Sequence, residues 1–185
     1  MIFNGEMVRA ILDGGKTQTR RPVKVPHIDR DAMCELSGNE LAGELSAGNY
    51  RNSPHGKPGD RIWVRETWAR YNIDQDSHDM AYRATPPADW PEEGRWRPSI
   101  HMPRWASRIT LEITGVRVER LQAITLGDIC KEIGCGLYDF RPATYGFQVW
   151  ENLWKSIYGE DGWQSNPWVW VIEFKVVPNV QDNPA

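Results

Sequence analysis

Apolar residues recur at helical spacing in three segments of the chain, residues 5–13, 125–133 and 143–158. The third segment has the clearest pattern, because its large apolar side chains follow one another at steps of three or four and so share one helix face. These side chains are Phe147, Trp150, Trp154 and Ile157. The first segment ends before Gly14 and the second begins at Thr125, residue types that are typical of a helix C-terminus and N-cap respectively. The pattern therefore predicts three helices.

Alternating apolar and polar residues predict β-strands over residues 17–25, from residue 61 onward, over 109–121 and over 167–177. The large apolar residues of the last run, expected on one face of its strand, are Trp168, Trp170, Ile172 and Phe174. A Pro-Gly signal for a type II turn at residues 58–59 precedes the second strand. Strands that are separated by irregular lengths, rather than by regular crossover helices, favour an α+β fold, a mixed β-barrel with flanking helices.

Two stretches of the chain carry no regular pattern and are expected to be insertions. Residues 28–56 are polar and rich in Gly, Ser, Asn and Asp, which predicts a long, partly mobile loop. The second stretch, at about 70–100, is rich in proline and acidic residues in its first part. We therefore expect a single domain over residues 1–178, with these two insertions and a flexible tail at 179–185.

The composition limits the class of protein. The net charge of −3 excludes a strongly basic nucleic-acid coat, although 16 arginines against 6 lysines suit bidentate phosphate contacts and ring stacking. Cys34, Cys130 and Cys135 are too few for a disulfide framework and are expected to be thiols in a reducing compartment. The four histidines are scattered, and no apolar run approaches the roughly 20 residues of a membrane span. We therefore expect a soluble, cytoplasmic protein without a metal or cofactor.

Residues 14–22, GGKTQTRRP, carry the densest candidate chemistry. The glycines allow a close backbone approach to a ligand, while Lys16 supplies a cation and Thr19 a hydroxyl, so the segment can hold an anionic or amide-bearing ligand. The alternative is a helix C-cap and tight turn, with Lys16, Arg20 and Arg21 merely solvated. Because residues three apart on a straight strand point to opposite faces, Lys16 and Thr19 can cooperate only if the chain is still in a turn at Lys16.

The order of motifs resembles that of a known family. The pattern GxKxxTxR at residues 14–21 resembles the signature of ASCH domains, which have a PUA-like β-barrel fold, and its threonine form resembles the small bacterial N4-acetylcytidine amidohydrolases. Residues 57–64, 111–134 and 171–177 resemble that family's turn and strand, its strand and helix, and its closing strand. Residues 102–113, MPRWASRITLEI, are similar to a segment common in phage and prophage ASCH proteins.

The resemblance implies a reaction and its residues. In the amidohydrolases the catalytic residues are a lysine, a threonine three residues later and a glutamate on the helix after the central strands, which correspond here to Lys16, Thr19 and Glu132. Thr19 would attack the amide carbonyl of an N-acylated cytidine with Lys16 as base, and Glu132 would relay a proton to the leaving amine or orient Lys16. Backbone N–H groups of Gly14 and Gly15 would hold the oxyanion.

Further binding residues are expected around this centre. Arg20 and Arg21 place positive charge beside the lysine, which would lower its pKa. Arg65, Glu66 and Thr67 end the second predicted strand. They are candidate ligand-binding residues, with Glu66 and Thr67 able to face the same cavity and bind a ligand amine. The alternative is an ordinary strand end.

A second group of candidates lies in the basic stretch that follows the acidic insertion. Arg104, Trp105 and Arg108 resemble a stacking and phosphate-contacting group for single-stranded RNA. The alternative is that Trp105 belongs to the core and the arginines cover it. Trp150 and Trp154 are expected to be core residues, since they lie on the helical stripe.

These observations support three hypotheses about function. The first is recognition of RNA or a modified nucleoside in a cleft built around Lys16, Thr19 and Glu132, with hydrolysis of the N-acyl amide of N4-acetylcytidine-like substrates as its sharper form. The second is a non-catalytic RNA-binding module. The third is a phage accessory or morphogenesis protein that acts through contacts with a protein partner, the cleft being vestigial.

Overall fold

Helices and strands alternate irregularly along the chain, whose computed structural model describes residues 1–70, 79–91 and 94–179. The α-helices of these residues are α1 (Gly5–Leu12), α2 (Gly38–Ser46), α3 (Leu126–Ile133) and α4 (Ala143–Gln164). The strands are β1 (Gln18–Pro22), β2 (Arg61–Trp63), β3 (Trp68–Arg70), β4 (Met80–Tyr82), β5 (Thr110–Arg120) and β6 (Trp168–Val177). The protein is therefore of the α+β class, as the sequence pattern predicts.

Four strands form one antiparallel sheet in the order β1-β6-β5-β2, and β3 and β4 form a separate antiparallel hairpin. Strands β5 and β6 are the longest pair, and their register shifts between Ile113 and Gly115, where β5 carries an extra residue. A bulge of this kind bends the strand and increases its twist. The sheet curls into an antiparallel half-barrel flanked by helices, which confirms a barrel-like fold at this coarser level.

The first residues of the chain connect the two edges of this half-barrel. Ile2 forms an isolated parallel bridge with Arg65, just after β2, and the Phe3 N–H donates to the Arg65 carbonyl at 3.1 Å. On the other side, Nη2 of Arg21 in β1 donates to the Ile2 carbonyl at 2.9 Å. These hydrogen bonds link β1 to the segment that follows β2 and so extend the curled sheet.

Strand β6 is buried on both of its faces. Val169 and Val171 pack into a cluster with side chains of α3 and α4, whereas Trp170 and Ile172 pack into a cluster with the apolar face of α2. The predicted apolar face is therefore correct but incomplete. A strand that is covered on both faces becomes an almost continuous apolar run, in which the alternation is hard to read.

The interpretation of residues 28–56 as a long loop is wrong, because this stretch contains α2. The side chain of Ser37 caps the helix, and the carboxylate of Glu40 accepts from the Ser37 N–H at 2.8 Å, which completes a capping box. Leu41 and Leu45 are the buried residues of this short helix. Two leucines in nine residues give little periodicity, so the capping residues were the available signal.

The second predicted insertion, at about 70–100, also contains ordered structure. Strand β4 pairs with β3, and the side chains of Ala81 and Ala84 are buried. Residues 71–78 and 92–93 lie outside the described residues. The stretch is therefore not composed of surface loop alone.

The predicted tail begins at a residue that makes specific hydrogen bonds. The side chain of Asn179 accepts from the Thr110 hydroxyl at 2.8 Å and donates to the Ser107 carbonyl at 2.7 Å. The rest of the predicted tail, residues 180–185, lies outside the described residues.

The predicted helices all form, and the last one differs in length and in its buried face. Helix α4 continues beyond the predicted end at residue 158, with a non-helical residue, Gly159, at φ +78° and ψ 173°. Trp150 and Trp154 are buried as predicted, but Phe147 and Ile157 are 43% and 47% exposed. No helix in the described part of the chain has the length and apolar character needed to cross a bilayer.

Candidate functional site

The loop after α1 lies directly against the end of α3, and glycines on both sides make this approach possible. Gly14 has φ +76°, as expected for a helix-terminating glycine, and Gly134 ends α3 at φ +89°. A Cβ on Gly15 would lie 2.6 Å from the carbonyl oxygen of Gly134, so no larger residue fits there. The Thr17 N–H then donates to the Lys131 carbonyl at 3.0 Å. Two chain segments far apart in sequence are thereby held side by side.

This approach places Lys16 inside the protein beside Glu132. Lys16 is 1% exposed, and its Nζ donates to the carbonyl oxygens of Gln18 at 2.7 Å and Glu132 at 2.5 Å. It also lies 3.2 Å from Oε2 of Glu132, a residue 116 positions away in sequence. Burial lowers the pKa of Lys16, and the attraction of Glu132 opposes that shift without cancelling it. The interpretation of Lys16 as a solvated turn residue is therefore wrong.

The Glu132 carboxylate is shared between two buried cations. Its other oxygen, Oε1, accepts from Nη1 of Arg20 at 3.1 Å. Arg20 is 2% exposed, and its Nη2 contacts Glu119 and lies 3.5 Å from Asp128. Arg20 is thus not a solvated turn residue either. Its guanidinium is held by three carboxylates, which is the arrangement that a buried cation requires.

A second arginine extends this network toward the surface. Arg117 lies 3.1 Å from Glu119, 3.4 Å from Asp128 and 2.7 Å from Glu173. Sequence reasoning assigned no site role to these residues, and it used Asp128 only as a helix-start signal. The pairs of Arg117 with Asp128 and Glu173 join different elements and leave no spacing pattern in the sequence, so the fold was needed to find them.

Thr19 and Glu132 border one narrow cleft between β1 and α4. Its buried walls also include Arg20, Trp150 and Trp154, and its remaining, partly exposed residues are Met7, Arg21, Leu153, Ile157 and Tyr158. The cleft has a volume of about 10 Å³, which is room for one water-sized group. Two of the three predicted catalytic residues therefore line the cleft. Lys16 does not line the cleft, but its Nζ contacts the Glu132 carboxylate, which does.

Gly14 and Gly15 lie outside this cleft. The Gly14 N–H donates to the Ile11 carbonyl at 3.1 Å and so belongs to the end of α1. The backbone of Gly15 is packed against Gly134. The structure thus gives Gly14 a role in ending α1 and Gly15 a role in the close approach of this loop to the end of α3.

Glu66, Thr67 and Arg108 belong to a different cavity region, near the beginning of α1. Glu66 and Thr67 line a cavity of about 410 Å³ together with Arg9 and Arg83. The buried Glu66 carboxylate accepts two hydrogen bonds from Arg108, at 2.9 and 3.0 Å. These residues therefore do not face the cleft of Thr19 and Glu132, which sequence reasoning had considered.

Arg65, Arg104 and Trp105 contribute to an exposed arginine–tryptophan surface. The guanidinium of Arg65 lies 4.8 Å from the ring centre of Trp63, and that of Arg104 lies 5.9 Å from the same ring. Arg70 lies 5.5 Å from the Trp105 ring. Trp105 is 50% exposed, so its interpretation as a core residue is wrong. Arg108 is separate, since it pairs with Glu66 instead.

Metal ligation has no obvious place in the described residues, because no group of three or more His, Cys, Asp or Glu side chains there is arranged to hold an ion. Cys130 is buried and the partly buried Cys135 thiol has its pKa raised to about 12, chiefly by burial and by Cys130. Both are free thiols rather than a disulfide.

Comparisons with known proteins give a weak structural likeness and no family. No protein-family model matches the chain, and no curated protein matches it. Among solved structures, the chain is similar to the crystal structure of protein EF3133 from Enterococcus faecalis V583, described as family-model DUF984. The TM-score is 0.43 and the sequence identity 10%, over 97% of this chain and 75% of that chain. A likeness of this size supports no argument about function. Function therefore has to be argued from the residues of the cleft.

Proposed function

We propose that the protein is a PUA-like, ASCH-type domain that recognises the N-acyl group of a modified nucleoside in the cleft of Thr19 and Glu132 and hydrolyses it. The observation that carries this proposal is the position of the Glu132 carboxylate. It borders the cleft together with Thr19 and is paired with Arg20, which also lines the cleft, and with Lys16, which does not. Residues of β1, α3 and the loop after α1 thus meet in this region, with Thr19 and Glu132 at the cleft and the Lys16 amine at Glu132.

The proposed reaction uses these three groups in two steps. The Thr19 oxygen attacks the acyl carbon, and its proton passes through the Glu132 carboxylate to Lys16 in those molecules whose Lys16 amine is unprotonated. The amine of the base then leaves with a proton returned by the same route. Water then attacks the acyl-threonine ester, which regenerates the Thr19 hydroxyl and releases the carboxylic acid. For N4-acetylcytidine the sum is substrate plus water giving cytidine and acetate.

The size of the cleft limits what enters it. A volume of about 10 Å³ holds a single oxygen or methyl-sized group, not a pyrimidine ring. We therefore propose that only the acyl end of the substrate reaches Thr19, while the base lies at the partly exposed rim formed by Arg21, Ile157 and Tyr158. Entry of anything larger requires these rim side chains to move.

A matched pair of substitutions at Thr19 tests the reaction. Purified protein is incubated with N4-acetylcytidine, and cytidine and acetate are both quantified. We expect Thr19→Val, which keeps the shape but removes the hydroxyl, to fall to the background rate, whereas Thr19→Ser retains turnover. Lys24→Ala, at an exposed lysine outside the cleft, serves as a control with full activity. Equal rates for wild type and Thr19→Val would rule out the proposed hydrolysis by Thr19.

The pH dependence of turnover tests the role of Lys16. Because a base acts only when unprotonated, the rate should rise with pH through the pKa of Lys16, which burial holds below the ordinary 10.5. Lys16→Arg keeps a positive charge that cannot be removed, so it should abolish this rise and the activity with it. A wild-type rate that shows no rise at any pH below 10.5 at which the protein stays folded would rule out Lys16 as the base.

A non-catalytic RNA-binding function is the second candidate, and the exposed arginine–tryptophan surface favours it. Trp63 and Trp105 each carry a nearby guanidinium, which suits stacking with unpaired bases and contact with phosphates. Binding of a single-stranded oligoribonucleotide that weakens with added salt, without any product from acylated nucleosides, would support this candidate. The double variant Arg65→Ala/Arg104→Ala should then bind more weakly, while Lys24→Ala should not.

A further inference from the structure

We infer that Nε1–H of Trp150 and Nε–H of Arg20 form a donor pair that holds the carbonyl oxygen of a ligand in the cleft. This inference rests on the proposed function and specifies how the site recognises the acyl group. Both side chains line the cleft, and they are only 3% and 2% exposed. Neither nitrogen has a hydrogen-bond partner among the described residues.

Each unpaired nitrogen lies close to a comparable nitrogen that does have a hydrogen-bond partner. Arg20 uses Nη1 for Glu132 and Nη2 for Glu119 and Asp128, which leaves Nε as its free donor. Trp154 lies one helical turn after Trp150 and is equally buried, yet its Nε1 donates to the Gly162 carbonyl at 3.1 Å. Burial in this region therefore does not by itself prevent an indole N–H from finding an acceptor. The indole N–H of Trp150 nevertheless has none among the described residues.

A buried donor without a partner costs about 1–3 kcal/mol, so such groups are uncommon unless water or a ligand satisfies them. The guanidinium carbon of Arg20 lies 5.8 Å from the Trp150 ring centre, and the cleft that both line has room for one oxygen atom. For an acceptor in that space to reach both donors the cleft must widen slightly, because neither nitrogen is accessible to water in the structure. The matching chemical class is a carbonyl oxygen, whose negative charge grows when the acyl carbon is attacked.

This pair replaces the role that the sequence assigned to the backbone of Gly14 and Gly15, which lie outside the cleft. Donors that already point at the position of a developing oxyanion need no reorganisation during the reaction. Trp150 is therefore inferred to be a specificity-determining residue for acyl substrates, although on the helical stripe alone it is only a core tryptophan.

The test uses protein labelled with ¹⁵N at tryptophan and two probes, N4-acetylcytidine and the simple amide N-methylacetamide. We expect each probe to shift the indole N–H resonance of Trp150. Trp68 gives an internal control, because its Nε1 is also buried and unpaired but lies outside the cleft. Its resonance should not move.

Substitution supplies a second, independent readout. Trp150→Phe keeps an aromatic ring against Arg20 but removes the donor, and we expect it to weaken nucleoside binding about tenfold. Trp68→Phe is the matched control, because it also removes a buried indole N–H without a partner among the described residues but lies outside the cleft. Its affinity should remain within about twofold of the wild type if its fold is intact by circular dichroism.

The outcomes separate this inference from the proposed function. If N-methylacetamide shifts Trp150 but N4-acetylcytidine neither binds nor turns over, the donor pair stands and the nucleoside is wrong. If the nucleoside binds, Trp150 does not shift and Trp150→Phe binds equally well, the donor pair is wrong and the proposed function stands. If neither probe shifts the Trp150 resonance, the donor pair serves an ordered water only and the inference fails.

Discussion

Glu132 is the residue on which the largest number of buried charges depends. Lys16 and Arg20 are both almost completely buried, and each directs a charged group at this carboxylate. Burying two cations is costly unless anions and hydrogen bonds compensate for the lost water. Removing the Glu132 carboxylate should therefore lower the free energy of unfolding by more than the loss of one ion pair would.

We predict that Glu132→Gln lowers the free energy of unfolding by about 3 kcal/mol, since it leaves buried positive charge uncompensated. The measurement is urea denaturation followed by circular dichroism at pH 7. Glu151→Gln is the control, because Glu151 forms its ion pair with Lys155 on the surface of α4 and should cost about 0.5 kcal/mol or less. Equal effects of the two substitutions would show that the buried network does not hold the fold.

His55 gives a second prediction at the residue scale. Burial, together with Arg21, lowers the pKa of His55 from 6.5 to about 4, and its ring packs edge-on against Trp170 at 5.7 Å. The unfolded chain therefore binds a proton between pH 6.5 and 4 that the folded chain does not. Stability from this residue is complete above pH 6.5 and is lost as the pH falls toward 4.

We expect this loss to be about 1–2 kcal/mol, after allowance for the part of the imidazole that solvent reaches. Chemical denaturation at pH values from 4.5 to 7.5 measures it. His55→Gln should flatten the profile in this interval, whereas His101→Gln, at an exposed position, should leave it unchanged. A profile with the same slope in His55→Gln would assign the pH dependence to other groups.

Among the elements, helix boundaries could be predicted from the sequence wherever a capping residue was accompanied by an apolar pattern. Thr125 caps α3 and Gly14 follows α1 as expected. Helix α2 was missed because its two buried leucines provide too little periodicity, although Ser37 and Glu40 form a capping box. Local signals of this kind depend on a few neighbouring residues, which is why they can be read without the fold.

The same distinction between local signals and packing applies to the candidate site. The segment of Lys16 and Thr19 was found from its composition, and Glu132 from the resemblance. The bonds from Arg20 to Glu119 and Asp128, and the place of Trp150 in the cleft, could not be predicted. They depend on how β1, α3 and α4 pack, and no spacing in the sequence records that packing.

The break in α4 leads to a prediction about this element. Gly159, at φ +78° and ψ 173°, occupies a region that is essentially restricted to glycine, and a Cβ there would meet nothing within 4 Å. We predict that Gly159→Ala lowers the free energy of unfolding by about 1–3 kcal/mol through backbone strain alone. Thermal unfolding measures the change.

Gly43, inside α2, is the matched control for this prediction. A Cβ at that position also meets nothing within 4 Å, but Gly43 does not have a positive φ. Gly43→Ala should therefore stabilise the protein by about 0.5–1 kcal/mol, the opposite sign. If both substitutions stabilise the protein, the backbone at Gly159 is not strained by a side chain and the break in α4 has another cause.

For the whole molecule, the arrangement of the sheets predicts an uneven distribution of stability. Strand β6 lies inside the four-stranded sheet, with neighbours on both sides and buried residues on both faces. The β3–β4 hairpin has three residues in each strand and lies outside that sheet. Local opening of the hairpin breaks few contacts, whereas opening of β6 disrupts the entire core.

We therefore predict that backbone amides of Val169–Ile172, once corrected for their intrinsic rates, exchange with deuterium at least about a hundredfold more slowly than those of Met80–Tyr82. Native-state hydrogen exchange read by NMR at low denaturant measures both sets in one sample. Added denaturant should accelerate the β6 amides with the slope of global unfolding, while the hairpin amides respond little. If both sets exchange at one rate and with one slope, the hairpin and the half-barrel form a single cooperative unit. The hairpin would then be an integral part of the fold rather than an addition to it.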